Sequence, residues 1–543
     1  MANPSTSVES TAGGAIALKP LSHSNNADSS SVQLVAGDHI HNHEHEHSTA
    51  TSSTEHHMAE LSNWKFLGII LSVGGVGFLS SFVSGLLTVG LPRTAEDIGL
   101  SDDLVFWPSS VYALSCGSCL LLAGSVADVV GNRSMNLIGC LLVSCFVLGC
   151  GLARTGIELI MFRAMQGVAV SFCLPTSVAI VSNAVPNGRK RNIGFSCLGF
   201  VQPIGFSAGL VLGGVILQTV GWRFGYYITA GLCFALFLVS LKVLPIEDKK
   251  NNWASIARLR TDIDWVGAFA SCASLSLFSY ILAALTNDVS NIKSPVNIAL
   301  LILGAALVPF FIFWEQRQER LGQPALIPNS LWKNQVFTNV CLIVMLVWGV
   351  LNMMELFCSL FFQQVQNLSA LDASLRILPN TIVGAICQVS TGLLIHRVSA
   401  FHLVVGSLVL SSVGPLLMAV IDVRWPYWYD AFFAQALSPI SADILFTVGL
   451  LVVSDVFPTR TQALAGAVFN TVSQFGTSIG LTVMAVISSA TTKHSRYVPK
   501  TSPDALLVGY RAGFWAAFAW MIVAFLIGAF GLRRIGRVGL KRD

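Results

Sequence analysis

The sequence predicts an all-α polytopic membrane protein. Three observations carry that prediction. Of 543 residues, 53% are hydrophobic and only 11% are charged, against about a quarter charged in soluble domains. Apolar runs of about twenty residues, the length that crosses a ~30 Å hydrocarbon core, recur along the whole chain. The runs are long and continuous rather than alternating, which excludes a β-barrel. A soluble enzyme, a secreted disulfide scaffold and a nucleic-acid-binding protein are excluded on the same grounds.

Residues 1–62 are rich in Ser, Thr, Asn and His and poor in large apolar side chains, so they read as a disordered tail. Most of the 11 His lie here, with His39, His41, His43, His45 and His47 in alternation. Such a tract can chelate metal loosely. No span supplies the ligands of a metal pore, so the tail reads as solvated chain and no cofactor or metal is implied.

Fourteen membrane helices follow, over 66–91, 105–127, 135–152, 158–182, 194–217, 224–244, 265–285, 296–314, 337–362, 375–395, 402–420, 431–453, 464–488 and 512–532. Of the 32 Lys and Arg, about two thirds fall on the tail's side of this arrangement, which places both termini in the cytoplasm. The loop at 246–263 is basic, and 253–259 can lie along the inner interface as an amphipathic turn. All 12 Cys lie within apolar runs, so no disulfide framework is expected. Cys116 and Cys119 have metal-like spacing without a second ligand pair. Asn367-Leu-Ser369 is a glycosylation sequon placed outside, and Asn132-Arg-Ser134 one placed inside.

An internal repeat is visible. Gly124 to Arg133 follows span 2 as Gly392 to Arg397 follows span 10, and Gly205-x-x-x-Gly209 is echoed by Gly476-x-x-x-Gly480. Both pairs are offset by about 270 residues, which implies parallel six-helix halves around a midplane cavity. The expected organisation is a tail (1–62), a first half (63–245), a basic loop with helices 7 and 8 (246–335), a second half (336–533) and a basic tail (534–543).

Three motifs carry mechanics. In Gly124–Arg133, Gly124 and Gly131 permit a tight turn, Asp128 can accept backbone N–H bonds and Arg133 offers a partner charge, a set suited to a conformational gate. Arg163-Ala-Met-Gln166-Gly167 places a guanidinium inside span 4, where a charge is costly and marks function. Gly205, Gly209, Gly213 and Gly214 give span 5 a small-residue face for close helix contact.

With these motifs the sequence resembles the major facilitator superfamily, and within it the fungal-type fourteen-spanner drug:proton antiporters. Gly221-Trp222-Arg223, Asp264-Trp265-Val266-Gly267 and Pro324–Phe337 fit the fourteen-helix branch. The resemblance covers nearly all of 64–532. It implies the major facilitator fold, two inserted helices, and proton-driven export by alternating access. Three positions depart from the pattern: Leu210 replaces a Pro, Ser196 a Gly, and Val83 the acid of span 1.

Ionisable side chains at membrane depth are few. Arg163, Glu355 and Asp443 are the candidates for proton coupling. Gln166, Gln202, Trp348, Asn352, Gln388 and Asn470 are the candidates for the substrate cavity, with Gln474, Trp107 and Tyr112 beside them. The expected partners are a small organic substrate (drug, toxin or secondary metabolite), H+ and the lipid bilayer. One chain holds both halves, so a monomer suffices, at the plasma membrane rather than the vacuole. The alternatives are a proton-coupled importer or facilitator, and a membrane sensor on the same fold. An enzyme is not expected, since no catalytic or metal-spaced cluster lies in the helices.

Overall fold

A computed structural model describes residues 63–101, 104–185, 189–245, 263–287, 293–394, 398–457 and 459–533. The His-rich tail, the turn at 253–259, His396 and Arg397, and the basic stretch 534–543 lie outside the described residues.

The described chain is helical. Its first half comprises α1 (Asn63–Asp97), α2 (Trp107–Val130), α3 (Asn132–Leu152), α4 (Gly156–Ala184), α5 (Arg189–Thr219) and α6 (Trp222–Val243). Then come α7 (Trp265–Asn287) and α8 (Pro295–Arg320), and a single 3₁₀ turn (Asn329–Lys333). The second half comprises α9 (Gln335–Leu360) with a π-helical end (Phe361–Val365), α10 (Ala370–Leu394), α11 (Ala400–Val420), a helix in two pieces, α12a (Ala431–Leu437) and α12b (Ile440–Val456), α13 (Thr459–His494) and α14 (Pro503–Gly531). Among the described residues thirteen helices are long and apolar enough to cross a membrane. The fourteenth, α7, has a shorter apolar stretch, Trp265–Phe278. At ~1.5 Å per residue its whole length still reaches across a hydrocarbon core.

Local chemistry sets the ends. Thr155 caps α4 by accepting from Glu158 N, and Glu158 accepts in turn from Arg154 N at 2.8 Å. Gly131 (φ 116°) turns the chain between α2 and α3, in a region that a side chain rarely occupies. Most helix ends fall within about six residues of the expected spans, and two differences are larger. The helix expected from 512 begins at Pro503, because Ser502 accepts from Ala505 N and proline fits the first turn. Arg511, expected in a loop, therefore sits on α14. The helix expected as continuous over 431–453 breaks at Ser438 and Pro439, where a proline cannot supply the helical N–H.

The packing repeats between the halves. α1 lies against α5 and α6 as α9 lies against α13 and α14, and α3 against α6 as α11 against α14. Small residues explain why. A Cβ added at Gly205, Gly209 or Gly213 would meet the α1 backbone at Phe78, Phe82 or Leu86, so α5 and α1 approach backbone to backbone. Gly476 and Gly480 do the same for α13 against Met345 and Gly349 of α9. The halves join where α2 meets α13 and α5 meets α10; the latter contact includes Gly214, where a Cβ would lie 2.9 Å from Leu371 Cα. The α7–α8 pair rests on α13 and α2 through α7. The face where α1 begins is the proximal face and the opposite one the distal face.

Candidate transport cavity and gates

A cavity of about 190 Å³ lies between the halves at mid-depth. The first half contributes Ser81, Ser84, Thr88, Tyr112, Arg163, Gln202 and Phe206; the second contributes Trp348, Asn352, Glu355, Asn380, Gly384, Asp443, Gln474 and Thr477. All three candidate coupling residues thus face one space, with the cation on one half and both carboxylates on the other.

Arg163 is 1% exposed. Its Nε donates to Pro108 O at 3.1 Å, its Nη1 to Gln166 Oε1 at 2.9 Å, and the guanidinium lies 4.4 Å over the Tyr112 ring. No ion pair to Arg163 occurs among the described residues. The charge is therefore stabilised by a carbonyl, an amide and an aromatic face, while a carboxylate is left to come from elsewhere. Glu355, on α9, and Asp443, in the first turn of α12b, line the same wall of the cavity. Gly384 of α10 sits directly against the Asp443 carboxylate, where any Cβ would collide with Oδ2. The helix break at Pro439, which also lines the cavity, sets the first turn of α12b against it, an arrangement known from ion and substrate sites in transporters.

Of the other candidates, Gln202, Trp348 and Asn352 line the cavity. Asn352 donates to Thr477 Oγ1 at 3.1 Å across α9 and α13. Gln166 is fully buried behind Arg163 as its acceptor. Gln388 and Asn470 do not line this space; Asn470 donates to Gly466 O of its own helix at 3.0 Å. Sequence reasoning missed Ser81, Ser84, Thr88, Asn380 and Gly384. Their signal was faint, since small polar residues in membrane helices usually bond their own carbonyls, as Ser84 and Thr88 also do here.

The distal mouth is closed by bonds between the halves. Ser359 Oγ donates to Thr88 O at 2.9 Å and Gln363 Nε2 to Val89 O at 3.0 Å, joining α9 to α1. Ser110 of α2 meets Thr482 Oγ1 of α13 at 2.7 Å and Ser478 Oγ at 3.1 Å, all buried. Pro92 explains one acceptor. It has no N–H for the carbonyl four residues back, so Thr88 O is released from the helical ladder and taken by Ser359.

The turn motif lies at the proximal end of the first half. Gly124 abuts Pro175 of α4 at 3.7 Å for an added Cβ. Asp128, Asn132 and Arg133 line a second pocket of about 390 Å³ with Ile180, Asn183, Ala184 and Pro245. Arg133 Nη2 donates to Leu241 O of α6 at 2.8 Å. Asn367 is exposed in the short α9–α10 connection with φ 53°, and Ser369 of the sequon bonds Asp372. All 12 cysteines are free.

The sequence profile of the Major Facilitator Superfamily matches residues 73–481. The chain belongs to this superfamily. A relative from Pyricularia oryzae, "MFS-type transporter 1", is 40% identical over 517 residues, covering 87% of this chain and 84% of that one. Two Saccharomyces cerevisiae relatives are more distant. The low affinity ammonium transporter is 27% identical over 70% of this chain and 73% of its own, and the aminotriazole resistance protein 24% identical over 80% and 78%. Among solved structures, an inward-facing, unoccupied bacterial homolog of the human lysosomal transporter Spinster overlays with a TM-score of 0.62 at 15% identity, covering 87% of this chain and 98% of that one. The superfamily and fold make this chain a multi-pass membrane transporter rather than an enzyme.

Proposed function

We propose that this superfamily member is a proton-coupled exporter of hydrophobic or amphipathic organic compounds, working by alternating access at the plasma membrane with both termini in the cytoplasm. The observation that carries the reading is the meeting of Arg163 from one half with Glu355 and Asp443 from the other in one cavity. Carboxylates at membrane depth are expensive and mark proton or substrate paths. Proton binding to Glu355 or Asp443 removes a charge that otherwise opposes Arg163 across the cavity, so protonation changes the attraction between the halves. The halves 63–245 and 336–533 rock about this point, with 246–335 inserted between them. Val83 stands where the branch has an acid, which supports giving the coupling role to the carboxylates of the second half. Gly124, Asp128, Gly131 and Arg133 form the proximal gate, and a monomer is sufficient.

A resistance protein among the relatives favours export. A second reading, uptake of a small cationic nitrogen compound, is favoured by the two carboxylates on one wall and by the ammonium transporter among the relatives. Substrate-induced proton movement in proteoliposomes separates the two. Export by exchange moves H+ opposite to the compound, whereas coupled uptake moves it in the same direction. Glu355→Gln and Asp443→Asn each weaken the proton flux in either case, and unaltered flux in the double variant would refute the assignment of these residues.

A further inference from the structure

A second pair of carboxylates lies away from the cavity, at the proximal end of the inserted helices. Asp264 precedes α7 and Glu315 sits in the last turns of α8; they are 5% and 0% exposed. One oxygen of each is satisfied. Asp264 Oδ1 accepts from Gly267 N and from Trp314 Nε1 of α8, both at 2.9 Å, and Glu315 Oε2 accepts from Ile327 N of the following connection at 3.2 Å. The other two oxygens, Asp264 Oδ2 and Glu315 Oε1, are buried without a donor from any other group. They converge. A Cβ at Gly267 would collide with both, and the two carboxyl groups are within hydrogen-bonding reach of one another.

Neither carboxylate makes an ion pair among the described residues. Arg317, Glu319, Arg320 and Lys333 are exposed, and the Arg317 guanidinium lies over the Trp314 ring at 5.5 Å. On the helices packed against α7, the described charged side chains are Asp128 of α2, which lines the pocket shared with Arg133 and α4, and Lys493 and His494 at the distal end of α13.

We propose that Asp264 and Glu315 form a proton-binding site distinct from the transport cavity, in which one proton is held between Asp264 Oδ2 and Glu315 Oε1. Two buried like charges at contact distance repel; a single proton converts one to a carboxyl whose O–H donates to the other, so the pair carries one negative charge in place of two. The consequence is mechanical. Asp264 holds α8 through Trp314, and Glu315 holds the α8–α9 connection through Ile327, so the shared proton fastens the inserted hairpin to the segment that leads into the second half. Loss of the proton loosens that fastening as the pH rises. The site does not depend on the coupling role assigned to Glu355 and Asp443.

The test is hydrogen–deuterium exchange at Ile327 and its neighbours in the full-length protein in nanodiscs, corrected for intrinsic exchange, from acid to alkaline pH. In the unmodified chain, protection falls by about tenfold or more as the pair deprotonates. In Glu315→Gln the side-chain amide donates to Asp264 Oδ2 in the proton's place, and protection becomes independent of pH. Asp264→Asn gives the same flat profile and covers the case in which the first variant folds poorly. Protection that does not vary with pH in the unmodified chain overturns the proposal. So does loss of protection in both amide variants to the level of Glu315→Ala. Restoration of protection at alkaline pH by added Mg2+ or Ca2+ would assign the pair to a metal cation and overturn it as well.

Discussion

Replacing Ser359 by Ala should open the distal mouth. Its hydroxyl donates to Thr88 O at 2.9 Å and accepts from Gln363 Nε2 at 3.0 Å, with Ser359 fully buried. Thr88 O has lost its helical donor to Pro92, so alanine leaves that carbonyl buried and unpaired while the mouth is closed. An unsatisfied buried acceptor costs about 1–3 kcal/mol. Once the mouth opens, water can reach the carbonyl and the cost disappears. The penalty thus falls on the distal-closed state alone, and the closed-to-open ratio shifts by about 5–150-fold. The assay introduces a cysteine at Ser84, a cavity position one turn from Thr88, into a background without reactive native thiols. Labelling by a membrane-impermeant thiol reagent from the distal side is then timed. Ser359→Ala should accelerate labelling at least about fivefold, and Ser359→Thr, which keeps the hydroxyl, should accelerate it far less. Equal rates in the alanine variant and its parent would refute the argument, as would equal acceleration by threonine.

Three further outcomes follow from the packing and charges. Gly209→Leu places a side chain against the α1 backbone at Phe82 and should lower thermal stability by about 1–3 kcal/mol, read as a lower melting temperature in detergent, whereas the same change at Gly231, where an added Cβ meets nothing within 4 Å, should leave it near the parent value. Arg163→Lys cannot reproduce the planar contacts to Pro108, Gln166 and the Tyr112 face, so transport should be lost while surface abundance is retained; parental transport would show that charge alone suffices. Asp128→Asn should impair transport without removing the protein from the membrane, and unchanged flux would remove the case for a gate at this turn.

Hydropathy made the spans legible because the cost of burying polar backbone in lipid acts on length and composition alone. It also exposed Arg163, Glu355 and Asp443, since charges at that depth are few. It could not give azimuth. Gln202 and Gln388 look alike in sequence, yet one lines the cavity and the other does not, because helix rotation is fixed by neighbours such as the Gly205–Gly209–Gly213 face on α1. The break in α12 was carried by Ser438-Pro439, a local signal lost within a continuous apolar run. The Asp264–Glu315 pair was invisible for another reason: only the antiparallel return of α8 on α7 brings the two acids together. The start of α14, by contrast, was written locally in Ser502 and Pro503 and outweighed by the polar residues around it.

Proton-coupled export through the Arg163–Glu355–Asp443 cavity is best tested by compound accumulation. Cells expressing the chain, cells lacking it and cells expressing the Glu355→Gln/Asp443→Asn variant would be loaded with a panel of amphipathic compounds, with and without a protonophore. Accumulation of some compounds should be lower with the unmodified chain, and the lowering should be abolished by the protonophore and absent in the variant. Higher accumulation, lowering that survives a collapsed proton gradient, or lowering of equal size in the variant would contradict it.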